Sequence, residues 1–342
     1  MNVVQVRLDQ AGTVAVRGAA EKLVRQVDRL DTVAALEKAV TLTRLLPVAL
    51  CDAVARLRAR DDETIAVVVS GVDLGLMAQK RTPGSFGEYE GEPWSRLADG
   101  ALFLIGAALG VPYCFASQQR GRLVLDVFPL PSHEEDQLGC SSTVALEWHN
   151  EDAFHPLRAA YTMLLCVRNE QRAATRFVAA RELELSSEVL DELRKPQFTI
   201  VPDLSHSIGY NLTTSGVAAG SDPAFARIAE LGDELVAAPV LEGDAQDPQI
   251  RVDFAYMPTD SHSESANAAL LELWTEVERT SRSVVLGAGD VLVLDNRRCI
   301  HGRDSFEPRY DGTDRWLRRL NVHRHLTDVT EHQLEPGVLS IV

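Results

Sequence analysis

The sequence predicts a mainly β fold with flanking helices, a β-sandwich or barrel core with helices packed outside it. Short strand-like runs separated by turn-rich stretches dominate the chain beyond residue 110, which is the pattern of sandwiches and barrels. Helical periodicity is concentrated before that point and returns only twice after it. No stretch rich in Pro, Gly or Ser divides the 342 residues, and no repeat or low-complexity tract is visible, so a single domain over 1–342 is expected.

Taken in order, residues 15–60 read as helical, with Leu23, Val27 and Leu30, then Leu50, Val54 and Leu57, at helical spacing. Pro47 is expected to separate two helices. Thr64 to Ser70, β-branched and bounded by Gly71, reads as a buried strand. Residues 78–93, with Pro83, Gly84, Gly87, Gly91 and Pro93, read as a loop, and 95–109 as a helix. Strand-like runs follow at 111–117, 122–128, 143–149, 161–167, 197–201, 249–256, 290–295 and 317–323. Helices interrupt at about 186–194 and at 264–280. The second carries Leu270, Leu273, Trp274 and Val277 on one face and a capping box from Ser261 to Glu264. The polar, glycine-bearing stretch 203–224 reads as a surface connection or a mobile lid.

Composition removes several function classes. At 45% hydrophobic residues a sizeable core can be buried. The excess of 50 Asp and Glu over 34 Lys and Arg gives a net charge of −16, which repels phosphate and argues against a nucleic-acid or membrane partner. No apolar run reaches the ~18 residues of a spanning helix. Met1 to Arg7 shows no basic segment followed by an apolar one, so no secretory leader is read there. The five cysteines, at 51, 114, 140, 166 and 299, are odd in number, far apart and never C-x-x-C. That fits reduced thiols in a cytoplasmic protein better than a disulfide framework or a structural zinc. A homodimer stays open.

The most informative segment is Trp148-His149-Asn150-Glu151-Asp152-Ala153-Phe154-His155-Pro156, which follows a strand-like run from Thr143 to Glu147. Residues i and i+2 of a strand project to one face, so His149 and Glu151 can offer an imidazole and a carboxylate to one point. A lone H-x-E is common by chance. It gains weight from Gly289–Arg303, where His301 again follows an apolar run. Two His and one carboxylate on neighbouring strands can occupy one face of an octahedral metal and leave three positions open, as in non-heme Fe(II) oxygenases. Downstream, Arg315 stands ahead of another strand-like run, where a buried guanidinium can grip a dicarboxylate through two parallel hydrogen bonds. His155 is expected to pack or hydrogen-bond, Asp152 to fix the turn, and one of Arg297 and Arg298 to pair with an acidic neighbour.

Three runs together, W-H-N-E-D-A-F-H-P-L-R, L-D-N-R-R-x-x-H-G-R and R-Y-D-G-T-D-R-W-L-R-R, resemble the clavaminate-synthase-like branch of Fe(II)/2-oxoglutarate dioxygenases. Within it the likeness is nearest to the free amino-acid hydroxylases of antibiotic pathways. It spans about 94–325, with 1–93 as an N-terminal helical and first-strand part. The resemblance implies a double-stranded β-helix, or jelly roll, with the metal between two sheets. It implies His149, Glu151 and His301 as the iron ligands and catalytic centre, and Arg315 as the partner of the distal carboxylate of 2-oxoglutarate. Arg319 would take the substrate α-carboxylate. Gln118, in Ala116–Gln119, and the free oxygen of Glu151 would take its α-amino group. The stretch 203–224 would be the lid. The implied cofactors are Fe(II), 2-oxoglutarate and O2, and the implied partner is a small-molecule amino acid.

The reaction so implied is hydroxylation at Cβ or Cγ of a free L-amino acid, with L-arginine or an arginine-derived amino acid first. Desaturation and cyclisation begin with the same hydrogen abstraction and stay open. So do citrulline, enduracididine, capreomycidine, lysine and asparagine as substrates, and a non-catalytic binding jelly roll. One departure bears on the choice. Arginine hydroxylases of this group carry D-x-D before the distal helix, whereas Arg251-Val252-Asp253-Phe254-Ala255-Tyr256 keeps Asp253 and has Ala255 second. Asp253 is expected to contact the substrate side chain, and a ureido or guanidine-ring side chain becomes credible beside a plain guanidinium.

Overall fold

The run Thr64–Ser70 is buried along all but its last residue and lies inside the larger of two main sheets. The computed structural model describes residues 2–60, 64–73, 75–218 and 220–342. Among these the strands are β1 (Asn2–Arg7), β2 (Thr64–Ser70), β3 (Val111–Phe115), β4 (Leu125–Val127), β5 (Leu146–His149), β6 (Tyr161–Arg168), β7 (Thr175–Ala179), β8 (Leu241–Glu242), β9 (Gln249–Ile250), β10 (Arg282–Val284), β11 (Val291–Asp295), β12 (Cys299–Arg303), β13 (Trp316–His323) and β14 (Ser340–Ile341). The larger sheet runs β1-β2-β11-β6-β13-β3-β14, with β4 also on β13, and the smaller runs β10-β7-β12-β5. The pair β8 and β9 stands apart.

Strand periodicity sorts the apolar residues into layers. Val67 and Val69 of β2, with Val291 and Val293 of β11, share a core with the helices α1 (Gln10–Gln26), α2 (Val33–Leu42), α3 (Val48–Arg58) and α4 (Pro93–Leu109). Their alternates Ala66, Val68, Leu292 and Leu294 pack with Phe177 and Ala179 of the smaller sheet. A further core joins Trp148, Val178 and Ile300 of that sheet to α5 (Ser187–Leu193) and, further along the chain, to the helix Glu264–Thr280. The protein is therefore a mixed helix-and-sheet structure of packed layers, richer in helix than the sequence pattern suggests.

The structure corrects several boundaries. The region 15–60 holds three helices; Pro47 separates α3 from the helical stretch before it, as expected, and Thr32 caps α2 by accepting from the Ala35 amide at 3.1 Å. The run 197–201 forms no strand, and 249–256 is a strand only over Gln249–Ile250. β1, β7, β8, β10, β12 and β14 escaped the sequence reading. The stretch 203–224 contains α6 (Ile208–Thr214) and the start of α7 (Asp222–Asp233), while its Ala219 lies outside the described residues. The helix Glu264–Thr280, here α8, has its expected limits but is capped by Ser263, whose side chain accepts from Ala266, not by a box from Ser261. All five cysteines are free. No described helix is long and apolar enough to cross a membrane.

Alternation along β13 sets up the site. Arg315, just before the strand, and Leu317 and Arg319 line a cavity. Arg318 points the other way, fully buried, and donates to Asp99 of α4 at 2.6 Å and to Asp126 at 2.7 Å. Asp126 also accepts from Arg122 at 2.7 Å and from Trp316 Nε1 at 3.0 Å. Burial alone would raise its pKa, but Arg318 and Arg122 hold it down at about 2. Asp126→Ala leaves the buried Arg318 with Asp99 alone and strips the Arg122 guanidinium and the Trp316 indole N–H of their carboxylate partner. It is expected to cost about 3–5 kcal/mol, read as a lowered urea midpoint with unchanged slope. Because the folded pKa is depressed, the wild-type contribution is present above about pH 4. It is lost as pH falls toward 2.

Candidate active site

All seven residues singled out in the sequence, Gln118, His149, Glu151, Asp253, His301, Arg315 and Arg319, line one cavity enclosing about 990 Å³ with its mouth. β12 lies between β5 and β7, and its register sets His301 directly opposite His149. His301 sits within its own strand rather than after β11. The two imidazole centroids are 4.3 Å apart. Glu151 Oε1 lies 3.3 Å from His301 Nε2 and 3.9 Å from His149 Nε2.

The carboxylate does not arrive by strand alternation. β5 ends at His149, and Glu151 sits in the turn beyond it, where Asp152 has a φ of +52°. Two buried asparagines hold this turn against the β11–β12 turn. Asn150 donates to the carbonyls of Asn296 at 2.6 Å and Cys299 at 2.9 Å and accepts from Val252 at 2.9 Å. Asn296 accepts from the Glu151 amide at 2.9 Å and donates to the carbonyls of Glu151 at 3.2 Å and Ala159 at 3.0 Å. Their roles were not read from the sequence. A side-chain amide beside each ligand-bearing turn was the available signal, because such turns need local hydrogen bonds.

Electrostatics fit a bound cation. Burial would lower the His149 pKa, but hydrogen bonding and charge from Glu151, with Asp253 beyond, lift it to about 9. As a ligand it must shed that proton. Its Nδ1 lies 2.8 Å from the Glu147 carbonyl, which leaves Nε2 for the metal. Burial and the nearby His149 lower His301. Burial would raise Glu151, yet Arg319 and the two histidines hold it well below the usual carboxylate range. The three donor atoms lie within 4.8 Å of one another. Two neutral nitrogens and one carboxylate oxygen suit a divalent iron.

Arg315 is 4% exposed, and among the described residues its Nε has no partner and its one hydrogen bond is to Thr175 Oγ1 at 3.4 Å. Burial lowers its pKa to about 10. A buried guanidinium without a carboxylate is costly unless an anion joins it. That orphaned donor fits a dicarboxylate cosubstrate. Arg319 Nη1 pairs with Glu151 Oε2, the oxygen turned away from the histidines, and Nη2 lies 3.4 Å from Gln118 Oε1.

The opposite charge gathers on other segments of the same cavity. Asp253 forms a bridge pair with His149, and burial, with Asp203 nearby, pushes it up to about 7. Asp203 and Ser205, on the expected lid, also line the cavity and were not singled out. His155 is buried and packs edge-on against Phe115 at 4.7 Å, with burial lowering it to about 3. Arg298 pairs with Asp295 at 2.9 Å, as expected of one of the two arginines.

The comparisons with known proteins agree with this geometry. The profile of the family described as taurine catabolism dioxygenase TauD, TfdA family, matches residues 68–321. An L-ornithine/L-arginine 3-hydroxylase of Catenulispora acidiphila is 38% identical over 76% of this chain and 76% of its own. An enduracididine β-hydroxylase of Streptomyces hygroscopicus is 32% identical over 96% of this chain and 97% of its own. The crystal structure of the non-heme iron oxygenase OrfP with Fe, succinate and (3S)-hydroxy-L-Arg superposes with a TM-score of 0.88 at 32% identity, covering 99% of each chain. The same protein has been solved with Fe and α-ketoglutaric acid. The protein thus belongs to the TauD/TfdA family of dioxygenases, enzymes that work with Fe(II), 2-oxoglutarate and O2.

Proposed function

We propose that the protein hydroxylates Cβ or Cγ of a free L-amino acid with a cationic side chain, L-arginine or an arginine-derived amino acid, in secondary metabolism. The carrying observation is the distribution of charge in one cavity. Glu151 divides its oxygens between the histidines and Arg319, while Asp203 and Asp253 supply two further carboxylates. An amino acid brings the matching set, a carboxylate for Arg319, an ammonium for Glu151 and Gln118, and a side-chain cation for the two aspartates. The arginine- and enduracididine-directed relatives support this choice. We infer a single oxygenase domain over 1–342 with a jelly-roll core formed by the two main sheets, in a cytoplasmic protein that takes no nucleic-acid or membrane partner; a homodimer stays open.

His149, Glu151 and His301 would hold Fe(II), and Arg315 with Thr175 would hold the distal carboxylate of 2-oxoglutarate. Bound there, the iron and cosubstrate use O2 to place one oxygen atom on a substrate C–H carbon as 2-oxoglutarate becomes succinate and CO2. The chain's own part is positioning. Fixing both ends of the substrate decides which C–H faces the metal, and a shift of ~1 Å costs about 100-fold or changes the carbon attacked. The test is reconstitution with Fe(II) and 2-oxoglutarate, followed by succinate release in air across arginine, homoarginine, citrulline, lysine, ornithine, asparagine and cyclic guanidine amino acids. Succinate matched by a product heavier by one oxygen is expected for arginine or a guanidine-ring relative. Strong turnover confined to citrulline or asparagine overturns the cationic side chain. A product lighter by two hydrogens replaces hydroxylation with desaturation or ring closure.

A further inference from the structure

His206 lies near the start of the stretch 203–224, the expected lid, and is fully buried, with the Phe115 and Phe154 rings edge-on at 5.1 and 4.9 Å. Both its nitrogens are engaged. Nε2 lies 2.9 Å from Asp152 Oδ1, and Nδ1 lies 2.7 Å from Ser117 Oγ. Asp152 follows the ligand Glu151, and Ser117 precedes Gln118. One lid side chain thus cross-links the two segments that carry the metal carboxylate and the substrate-facing amide.

Those segments hold strained backbone. Gln119, Arg120 and Asp152 have φ of +40°, +63° and +52°. Non-glycine residues stay in the left-handed region only where their surroundings over-determine them. Lid residues do so here. His206 holds Asp152 and Ser117, and Asn211 of α6 accepts from the Gln119 amide at 3.0 Å. Asp152 is braced from the floor as well, by Asn321 at 3.0 Å. The orientation of Gln118 follows. Its Nε2 donates to Ser205 Oγ at 2.7 Å and to Asp152 Oδ1 at 3.3 Å, which leaves Oε1 turned to Arg319. Ser205 and the residue that orients Asp152 both belong to the lid.

We propose that His206 is a positioning residue that ties the Asp152 and Ser117 segments together and so keeps Gln118 aimed at the α-substrate subsite. The inference rests on the amino-acid reading for its substrate but not for its geometry. Without the His206 imidazole, Asp152 loses one partner and the Gln118 amide is free to turn.

The test compares wild type, His206→Ala, His206→Gln and Ser117→Ala, each with Fe(II) and 2-oxoglutarate. His206→Ala is expected to keep stoichiometric iron and the anaerobic Fe(II)–2-oxoglutarate absorption band. Succinate formed per hydroxylated product should rise several-fold, with a raised KM. His206→Gln, which retains a donor toward Asp152, should recover much of the coupling. Hydrogen exchange without substrate should quicken about tenfold at residues 117–119 in His206→Ala. Ser117→Ala should show the same changes more weakly, and it carries the comparison if His206→Ala does not fold. Wild-type coupling in His206→Ala, or in Ser117→Ala as its stand-in, overturns the proposal. So does loss of the iron band, which makes His206 a support of the metal centre instead. If the wild type turns over no amino acid on the panel, the substrate reading fails alone, and unchanged exchange at 117–119 still decides against His206.

Discussion

His301→Ala is expected to lose iron and turnover together, by on the order of 1,000-fold or more in kcat/KM. The remaining His149 and Glu151 are neighbours on one segment, and two donors cannot define a face of an octahedral ion. The substitution leaves the fold intact. β12 keeps its ladders to β5 and β7, and Cys299 and Ile300 keep their places in separate cores. The electrostatic consequence is local, because one of the two imidazoles that hold the buried Glu151 ionised is gone. Iron per chain after reconstitution and desalting, with circular dichroism to verify the fold, checks the outcome. Stoichiometric iron in a folded His301→Ala protein removes His301 from the ligand set and the proposed triad with it.

The sequence made the metal cluster legible because its residues sit in long motifs whose members are close in the chain, H-x-E and N-R-R-x-x-H. The route to the cluster was less legible. Alternation within a strand suggested that His149 and Glu151 share a face, but the strand stops at His149 and a turn delivers the carboxylate. Such a turn depends on Asn150 and Asn296 reaching across 146 positions of sequence, a pairing that no local pattern reports. Alternation does hold on β13, where Arg315 and Arg319 fall on the cavity side and Arg318 on the helix side, but the sequence reading took Arg319 from the resemblance and not from that period. Ala255 suggested that one substrate carboxylate was missing. Asp203, far away in sequence, lines the same cavity as Asp253, and under the proposed function the two segments would supply the acid pair together. Short edge strands such as β10 and β14 escaped for a different reason. Three- and two-residue strands carry too little periodicity to be seen.

Arg319→Ala separates the metal from the substrate, and the expected result is an enzyme that still binds iron and 2-oxoglutarate but handles its amino acid poorly. Arg319 is engaged through Nη1 with Glu151 Oε2 and points Nη2 toward Gln118, so its guanidinium stands where a substrate carboxylate could displace neither ligand nor cosubstrate. Losing a charge-assisted, two-pronged contact to a carboxylate is worth about 3 kcal/mol, roughly 100-fold in kcat/KM. Arg319→Lys should recover only part, because an ammonium supplies the charge without the planar fork. Removing the guanidinium also takes away the strongest influence lowering the Glu151 pKa, so the metal-free carboxylate becomes easier to protonate. Bound iron supplies the missing positive charge, which is why iron stoichiometry should survive near neutral pH. The measurement pairs iron content with succinate and hydroxylated product from the same reaction. Normal hydroxylation in Arg319→Ala refutes the substrate role. Loss of iron alongside product gives Arg319 a different task, holding Glu151 in its ligating orientation, and the α-carboxylate must then be bound elsewhere in the cavity.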